Sequence, residues 1–274
     1  MDSGHYLHDR KRSSSFNLIV GIHKTKTPSL SSPKYYQIKI FALGDIYEFY
    51  KYEIPVCAGY HKFRFKGRMP ADEDTKIENR KKVATRTRNN VRRLAIANFD
   101  EKSRFFTATF ADNITGMDFA NKEYKKFIQR LKYYYGDFKY LVVIEFQDRG
   151  AIHYHMLADF GYIEHKDLEE IWSNGWVWIR DLLTANKGNP VDNVGAYIVK
   201  YMNKDVIDKR LMGKKAYFTS KNLVRPEIIY EDLSLIDCLK KYGFDSNDLV
   251  YENKFKSKEN GMVFYYEFNK KRYL

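Results

Sequence analysis

The sequence predicts an α+β protein whose central antiparallel β-sheet has helices packed on one face. Runs of alternating apolar and polar residues, typical of half-buried strands, indicate the sheet. These runs are 105–110, 138–146, 151–158 and 176–180. Segments with helical apolar spacing cover about 118–134 and 165–172, between and after these strands. Because only Asp148, Arg149 and Gly150 separate 138–146 from 151–158, those two strands are predicted to pair as an antiparallel hairpin.

The composition is that of a basic, folded protein. The chain has 274 residues with a net charge of +13 and is rich in aromatic residues. Its positive field favours polyanions, nucleic acid first and anionic membrane second. Cys57 and Cys238 lie far apart, which excludes a disulfide framework or a zinc ribbon and fits a reducing compartment. Without a signal-like or membrane-spanning apolar run, we expect a cytoplasmic protein that does not enter a membrane.

Four regions are predicted from shifts in composition and pattern. Residues 1–33 are rich in Ser, Thr and Lys, and we expect a flexible basic tail. Residues 34–103 combine β-prone runs with a basic helix and are interpreted as a DNA-binding accessory region. The alternation of strands and helices continues through the domain predicted at 104–226, and a helix with a hairpin extends over 227–274.

Two basic surfaces are predicted in the accessory region. A helix should run from Pro70 and Asp72 to about Asn98, and basic residues cover much of its surface. A preceding strand alternates basic and aromatic residues. These features predict contacts to nucleic-acid phosphates, against the alternative of an ordinary solvated face. The candidate residues are Lys62, Arg64, Lys66, Arg80, Lys81, Arg86, Arg88, Arg92 and Arg93.

A metal site is predicted on the hairpin. His153 and His155 are two residues apart on one strand and therefore share a face. If the turn is centred on Arg149, Glu145 lies directly across from His153. Two imidazoles and a carboxylate, with coordination positions left for water and phosphate, suit Mg²⁺ or Mn²⁺. The alternative is a pair of ordinary histidines on a wet sheet face.

A candidate nucleophile site follows in the sequence Tyr-Ile-Val-Lys-Tyr-Met-Asn-Lys. On a helix capped by Asp192 or Asn193, Tyr197 and Tyr201 lie on one face, and Lys200 and Lys204 adjoin it. Nearby cations favour phenolate and balance charge on a phosphate. The alternative is that the tyrosines pack as core with solvated lysines.

The order FFTATF, IEFQDRGAIHYHML and YIVKYMNK resembles the three motifs of HUH endonucleases, over about residues 104–226. The likeness is greatest to the two-tyrosine replication initiator (Rep) proteins of rolling-circle plasmids and single-stranded DNA phages. It implies an HUH, RRM-like fold with the metal and tyrosine site on the open face of the sheet. In that family Glu145, His153 and His155 correspond to metal ligands, and Tyr197 and Tyr201 correspond to the paired tyrosines.

The resemblance implies a site-specific nicking and joining enzyme in a prokaryotic host cell. A tyrosine would form a 5′-phosphotyrosyl link with single-stranded origin DNA, possibly as a hairpin, and release a 3′-OH primer for a host polymerase. Tyr197 is narrowly favoured as the first nucleophile. A GxxxxGK[ST] motif does not occur, so a host helicase is implied. The alternatives are an HUH transposase or relaxase, and a basic nucleic-acid-binding domain without catalysis.

Overall fold

The computed structural model describes residues 35–58, 72–182, 193–202, 209–211 and 214–271. These ranges form two five-stranded antiparallel sheets and five α-helices. The strands are β1 (Tyr35–Leu43), β2 (Ile46–Cys57), β3 (Arg104–Phe110), β4 (Tyr140–Phe146), β5 (Ile152–Ala158), β6 (Gly175–Asp181), β7 (Tyr217–Thr219), β8 (Glu227–Glu231), β9 (Leu249–Ser257) and β10 (Gly261–Asn269). The helices are α1 (Glu73–Ile96), α2 (Met117–Tyr135), α3 (His165–Trp172), α4 (Val194–Val199) and α5 (Leu235–Tyr242). Short 3-10 turns lie at Lys200–Met202, Lys209–Leu211 and Ser246–Asp248.

The central sheet has the strand order β6-β3-β5-β4-β7. We call it the site sheet. On one of its faces α2 and α3 bury alternate strand residues such as Phe106 and Tyr154 against Phe127 and Trp172, and these side chains are almost completely buried. The predicted α+β class, with an antiparallel sheet and helices packed on it, is confirmed.

The opposite face of the site sheet is partly covered, whereas the sequence suggested that it is open. Phe105, Leu141 and Leu157 face this side and are almost completely buried, together with Leu94 of α1 and Ile198 of α4. Leaving these large apolar side chains in water would be unfavourable, because burying each one contributes about 1.5–3 kcal/mol. The second face therefore receives α4 and the C-terminal half of α1.

A second sheet has the order β8-β1-β2-β10-β9. Its strands come from both ends of the described chain, since Ile40 of β1 pairs with Ile229 of β8, and Tyr265 of β10 pairs with Tyr50 of β2. Phe49 and Phe268 form its core with residues of and around α5. The β-prone runs near residues 35–54 and the C-terminal hairpin are confirmed as strands, but the sequence did not show that they share a sheet.

Buried ion pairs join α1 to this second sheet. Arg92 forms ion pairs with Glu48 and with Glu267, the latter at 2.5 Å between Nη2 and Oε2. Arg93 Nε donates to Glu48 Oε2 at 2.7 Å, and its guanidinium group lies 3.6 Å from the centre of the Phe41 ring. Since the carboxylates are almost completely buried, these pairs fix α1 between the second sheet and α4.

Most predicted helix boundaries agree with the structure. Asp72 caps α1 by accepting from the Thr75 amide at 2.6 Å, and Asn193 caps α4 by accepting from the Ala196 amide at 2.8 Å. The helix predicted to continue from Asn193 towards Asp205 instead changes to a 3-10 turn at Lys200–Met202. Among the described residues, no helix combines the length and apolar character needed to cross a membrane.

Candidate nuclease site

The β4–β5 hairpin has the register predicted from its turn. Glu145 is paired directly with His153, and Val143 with His155. His153 and His155 lie on the same face of β5 with ring centroids 6.5 Å apart, and their exposed fractions are only 7% and 3%. Because β5 is buried along its whole length, the two imidazoles occupy a largely enclosed part of the sheet face.

His155 is held by hydrogen bonds at both ring nitrogens. Its Nε2 lies 2.8 Å from Glu145 Oε2, and its Nδ1 lies 3.0 Å from Thr107 Oγ1 on β3. Since a carboxylate only accepts, the Nε2–H donates to Glu145 and the Thr107 hydroxyl donates to Nδ1. A hydroxyl can also accept, so Thr107 would still hold the ring if Nε2 bound a cation and Nδ1 carried the proton.

His153 has one ring nitrogen without a partner. The Gln147 Nε2 amide lies 3.3 Å from His153 Nδ1, whereas His153 Nε2 is buried with no hydrogen-bond partner. Burial lowers the pKa of His153, and the neighbouring His155 lowers it further. Burial also lowers the pKa of His155, against the opposing effect of its hydrogen bond with Glu145. Both rings are therefore neutral near pH 7, the state in which imidazole binds metals.

The donor types fit a divalent cation better than their present arrangement does. An unpartnered imidazole nitrogen beside a second imidazole and a carboxylate is a suitable set for Mg²⁺ or Mn²⁺. In the described part of the chain, however, no group of three His, Cys, Asp or Glu side chains is arranged to hold a metal ion. The Glu145 oxygen and the His155 nitrogen face each other, so both side chains would have to turn towards a common point.

The two tyrosines lie on the same face of the site sheet as the histidines. The Tyr201 ring stacks on the His155 ring with centroids 3.8 Å apart and an interplanar angle of 23°. Tyr197 meets Phe105 edge to face at 5.0 Å and lies 6.2 Å from Tyr201. The predicted convergence of the tyrosines and the histidine pair is thus present in the structure.

The electrostatic environment differs between the two phenols. Burial raises the pKa of Tyr201 well above its usual value, and neighbouring Tyr197 raises it further, while Arg180 acts in the opposite direction. Lys200 Nζ lies 5.2 Å from the centre of the Tyr197 ring. Tyr197 is 8% exposed, whereas Tyr201 is only partly buried. Tyr201 is therefore the more accessible phenol, and Arg180 is the cation that favours its phenolate.

The predicted DNA-binding residues of α1 occupy two different environments. Lys81 and Arg86 are exposed and line a cleft whose other wall includes Tyr50 and Tyr52 of β2. Arg80 and Arg88 are partly buried, and Arg92 and Arg93 form the buried ion pairs with the second sheet. The structure thus gives Arg92 and Arg93 an architectural role, and contact of any of these residues with DNA stays a prediction.

Several predicted residues lie outside the described ranges. These are Lys62, Arg64 and Lys66 of the predicted basic strand, and Lys204 of the second tyrosine–lysine pair.

Three residues of the site were not identified from the sequence: Thr107, Gln147 and Arg180. Thr107 lies on the strand FFTATF, and the alternation of that strand already placed it on the face opposite Phe106. The partnership with His155 also required the β3–β5 register, in which Thr107 pairs with His155. For Arg180 the sequence carried no signal, because β6 pairs with β3 rather than with the hairpin.

The chain was compared with known proteins. Residues 103–206 match a family described as replication-associated protein ORF2. No curated protein and no solved structure matches the chain significantly. The matched segment contains β3, the β4–β5 hairpin and the α4 tyrosines, so it coincides with the site described above. Over these residues the protein is a Rep-type protein of the replication-associated protein ORF2 family.

Proposed function

We propose that this protein initiates rolling-circle replication by nicking and rejoining single-stranded origin DNA through a covalent tyrosine intermediate. The observation that carries the proposal is the stacking of Tyr201 on His155 at 3.8 Å, which brings a candidate nucleophile against a candidate metal ligand. Both belong to the segment that matches the replication-associated family. The buried, unpartnered His153 Nε2 gives independent support for a cation beside the tyrosines.

In the proposed reaction a phenolic oxygen attacks the scissile phosphorus, a new O–P bond forms, and the P–O3′ bond breaks. The phenolic proton passes to solvent, and the leaving oxygen takes up a proton to become a free 3′-OH. The bond energy is kept in the 5′-phosphotyrosyl link, so a 3′-OH can later attack it and rejoin the strand without nucleotide hydrolysis. The 3′-OH released first would prime a host polymerase, with a host helicase separating the strands.

Side chains of the site would contribute separately. Glu145, His153 and His155 are the residues that would hold Mg²⁺ or Mn²⁺, which when bound would polarise the phosphate. Lys200, and Lys204 by the sequence pattern, would balance negative charge as it develops on the phosphate oxygens. The exposed basic residues of α1 would add salt-sensitive binding of origin phosphates.

The order in which the tyrosines act can be examined directly. The sequence favoured Tyr197 as the first nucleophile, but the contacts of Tyr201 with His155 and its greater exposure support Tyr201. We expect Tyr201→Phe to abolish the first covalent adduct and Tyr197→Phe to retain it while impairing the second transfer. The reverse pattern would restore Tyr197 as the first nucleophile.

The decisive experiment is covalent capture from a randomised single-stranded DNA library, since the origin sequence does not have to be known. The protein is incubated with the library and Mn²⁺, denatured, washed, and the attached DNA is sequenced. We expect recovery of one sequence family, loss of recovery with a chelator, and loss in the double variant Tyr197→Phe, Tyr201→Phe.

The outcomes separate the proposal from its alternatives. No adduct with any sequence, despite salt-sensitive DNA binding by the folded protein, would refute the nuclease and leave a nucleic-acid-binding domain. An adduct that persists in the double tyrosine variant would refute the assigned nucleophiles. Transfer of the captured strand into a second duplex rather than its circularisation would favour the transposase alternative.

A further inference from the structure

The edge strand β6 presents two exposed tryptophans next to the candidate site. Trp176 and Trp178 have exposed fractions of 55% and 65%, whereas Trp172, the third tryptophan of the chain, is fully buried. Val177 and Ile179, which alternate with them, pack on the α2–α3 side. Trp176 and Trp178 therefore project from the opposite face.

Strand register places the tryptophans in line with the histidines. Trp178 pairs with Thr107, which pairs with His155. In the neighbouring row, Trp176 pairs with Thr109, which pairs with His153. With strands about 4.8 Å apart, each tryptophan backbone lies about 10 Å from the corresponding histidine backbone. A DNA strand can cover this distance with a few nucleotides.

We propose that Trp176 and Trp178 form a stacking platform that holds unpaired bases of the single-stranded DNA at the site. This inference rests on the proposed function, because it identifies the part of the same surface that would position the DNA. Exposed indole rings are surfaces on which any base can stack, and such stacking tolerates sequence differences. A paired base in a duplex does not offer its face in this way, so the platform selects single strands.

The spacing of the two rings suits a base between them. Residues two apart on a strand are separated by about 6.7 Å, which is close to twice the repeat of about 3.4 Å between successive bases on a DNA strand. Side chains on a strand stand roughly perpendicular to the sheet. One base can therefore insert between the two indoles and contact both of them.

The charge beside the platform favours DNA over a protein partner. Arg180 continues the row of alternate residues on β6, is exposed, and acts electrostatically on Tyr201. A strand stacked on the tryptophans would have a phosphate-binding cation between the platform and the tyrosine. The platform is thus continuous with the candidate site rather than a separate apolar patch.

The test measures binding of a fluorescein-labelled oligothymidine by anisotropy in the presence of a chelator, so that neither metal nor covalent chemistry contributes. We expect Trp176→Ala and Trp178→Ala each to weaken binding by about 5-fold or more. Phenylalanine at either position should restore much of the affinity. The matched control is Tyr133→Ala, which removes an aromatic side chain that is 84% exposed on α2.

Two further readouts make the interpretation specific. The binding of a duplex of the same length should change less than 2-fold in the tryptophan variants. Quenching of tryptophan emission by oligothymidine should be lost in the double variant Trp176→Phe, Trp178→Phe, which retains only buried Trp172.

Unchanged oligothymidine affinity in both alanine variants would overturn the platform, as would an equal loss of duplex binding. A change from dimer to monomer in the variants, with affinity unaltered, would overturn it in favour of a contact between copies of this chain. Failure of the nuclease proposal is distinguishable, because tryptophan-dependent binding is measured without any covalent adduct.

Discussion

Gly195 marks the closest approach between α4 and α1, and Gly195→Ala tests whether this contact positions the tyrosines. A Cβ at residue 195 would lie 2.5 Å from the Arg92 carbonyl oxygen and 2.8 Å from Ile96 Cγ1. Since ordinary contacts begin at 3.4 Å, the backbones would have to separate by about 0.9 Å, a distance that follows from the same contact. Because Tyr197 and Tyr201 follow on α4 and the adjoining turn, this shift would move both phenols relative to the histidines.

The expected effects on stability and activity differ in size. Overpacking costs about 1–3 kcal/mol, and the gain from replacing a helical glycine with alanine offsets about 1 kcal/mol of that. The free energy of unfolding should therefore fall by at most about 2 kcal/mol, and Tm by a few degrees. A displacement near 1 Å in a catalytic site can reduce the rate about 100-fold.

Two assays check this prediction. Thermal unfolding by circular dichroism measures stability, and the initial rate of covalent adduct formation measures activity. The control is Gly161→Ala, whose added Cβ meets no heavy atom within 4 Å and should leave the rate unchanged. A Gly195→Ala protein with raised Tm and an unaltered adduct rate would refute close packing of α4 on α1 as the feature that places the tyrosines.

Three other substitutions test separate parts of the structure. Glu48→Ala should lower the free energy of unfolding by about 3 kcal/mol or more in urea, because it leaves buried guanidinium groups of α1 unpaired; Lys82→Ala, which breaks an exposed ion pair, should cost less than about 1 kcal/mol, and equal losses would contradict the buried role. Thr107→Val should weaken Mn²⁺ binding in calorimetry by about 10- to 100-fold through loss of its bond to His155, and unchanged affinity would mean that Thr107 does not orient the ring. Asp72→Ala should reduce stability by about 1 kcal/mol through loss of the α1 N-cap, a prediction that an unchanged urea midpoint would contradict.

Local patterns in the sequence were sufficient for the elements that carry the chemistry. The two-residue alternation of β5 placed His153 and His155 on one face, and the short turn fixed Glu145 opposite His153. The spacing of Tyr197 and Tyr201 placed both rings together even though the helix tightens to a 3-10 turn after Val199. These predictions succeeded because they depend only on backbone periodicity and on the geometry of a short turn.

Long-range pairing was not predictable in the same way. The sequence showed a basic helix, but it did not show that Arg92 and Arg93 are occupied by carboxylates from strands far away in the chain. It likewise did not show that β6 pairs with β3, which places Trp178 and Arg180 on the same face as His155. A side chain's partner across a sheet is set by the strand order, which residue patterns within one segment do not encode.

The sequence by itself thus determined an antiparallel hairpin with two histidines and a carboxylate, and a helix with two tyrosines. Only the tertiary structure decided that α4 packs against the histidine face, because the apolar residues Phe105 and Leu157 on that face require a cover. The same packing stacked Tyr201 on His155 and left the neighbouring edge strand exposed. Burial of apolar surface between segments distant in sequence is the physical reason that the site exists as one cleft.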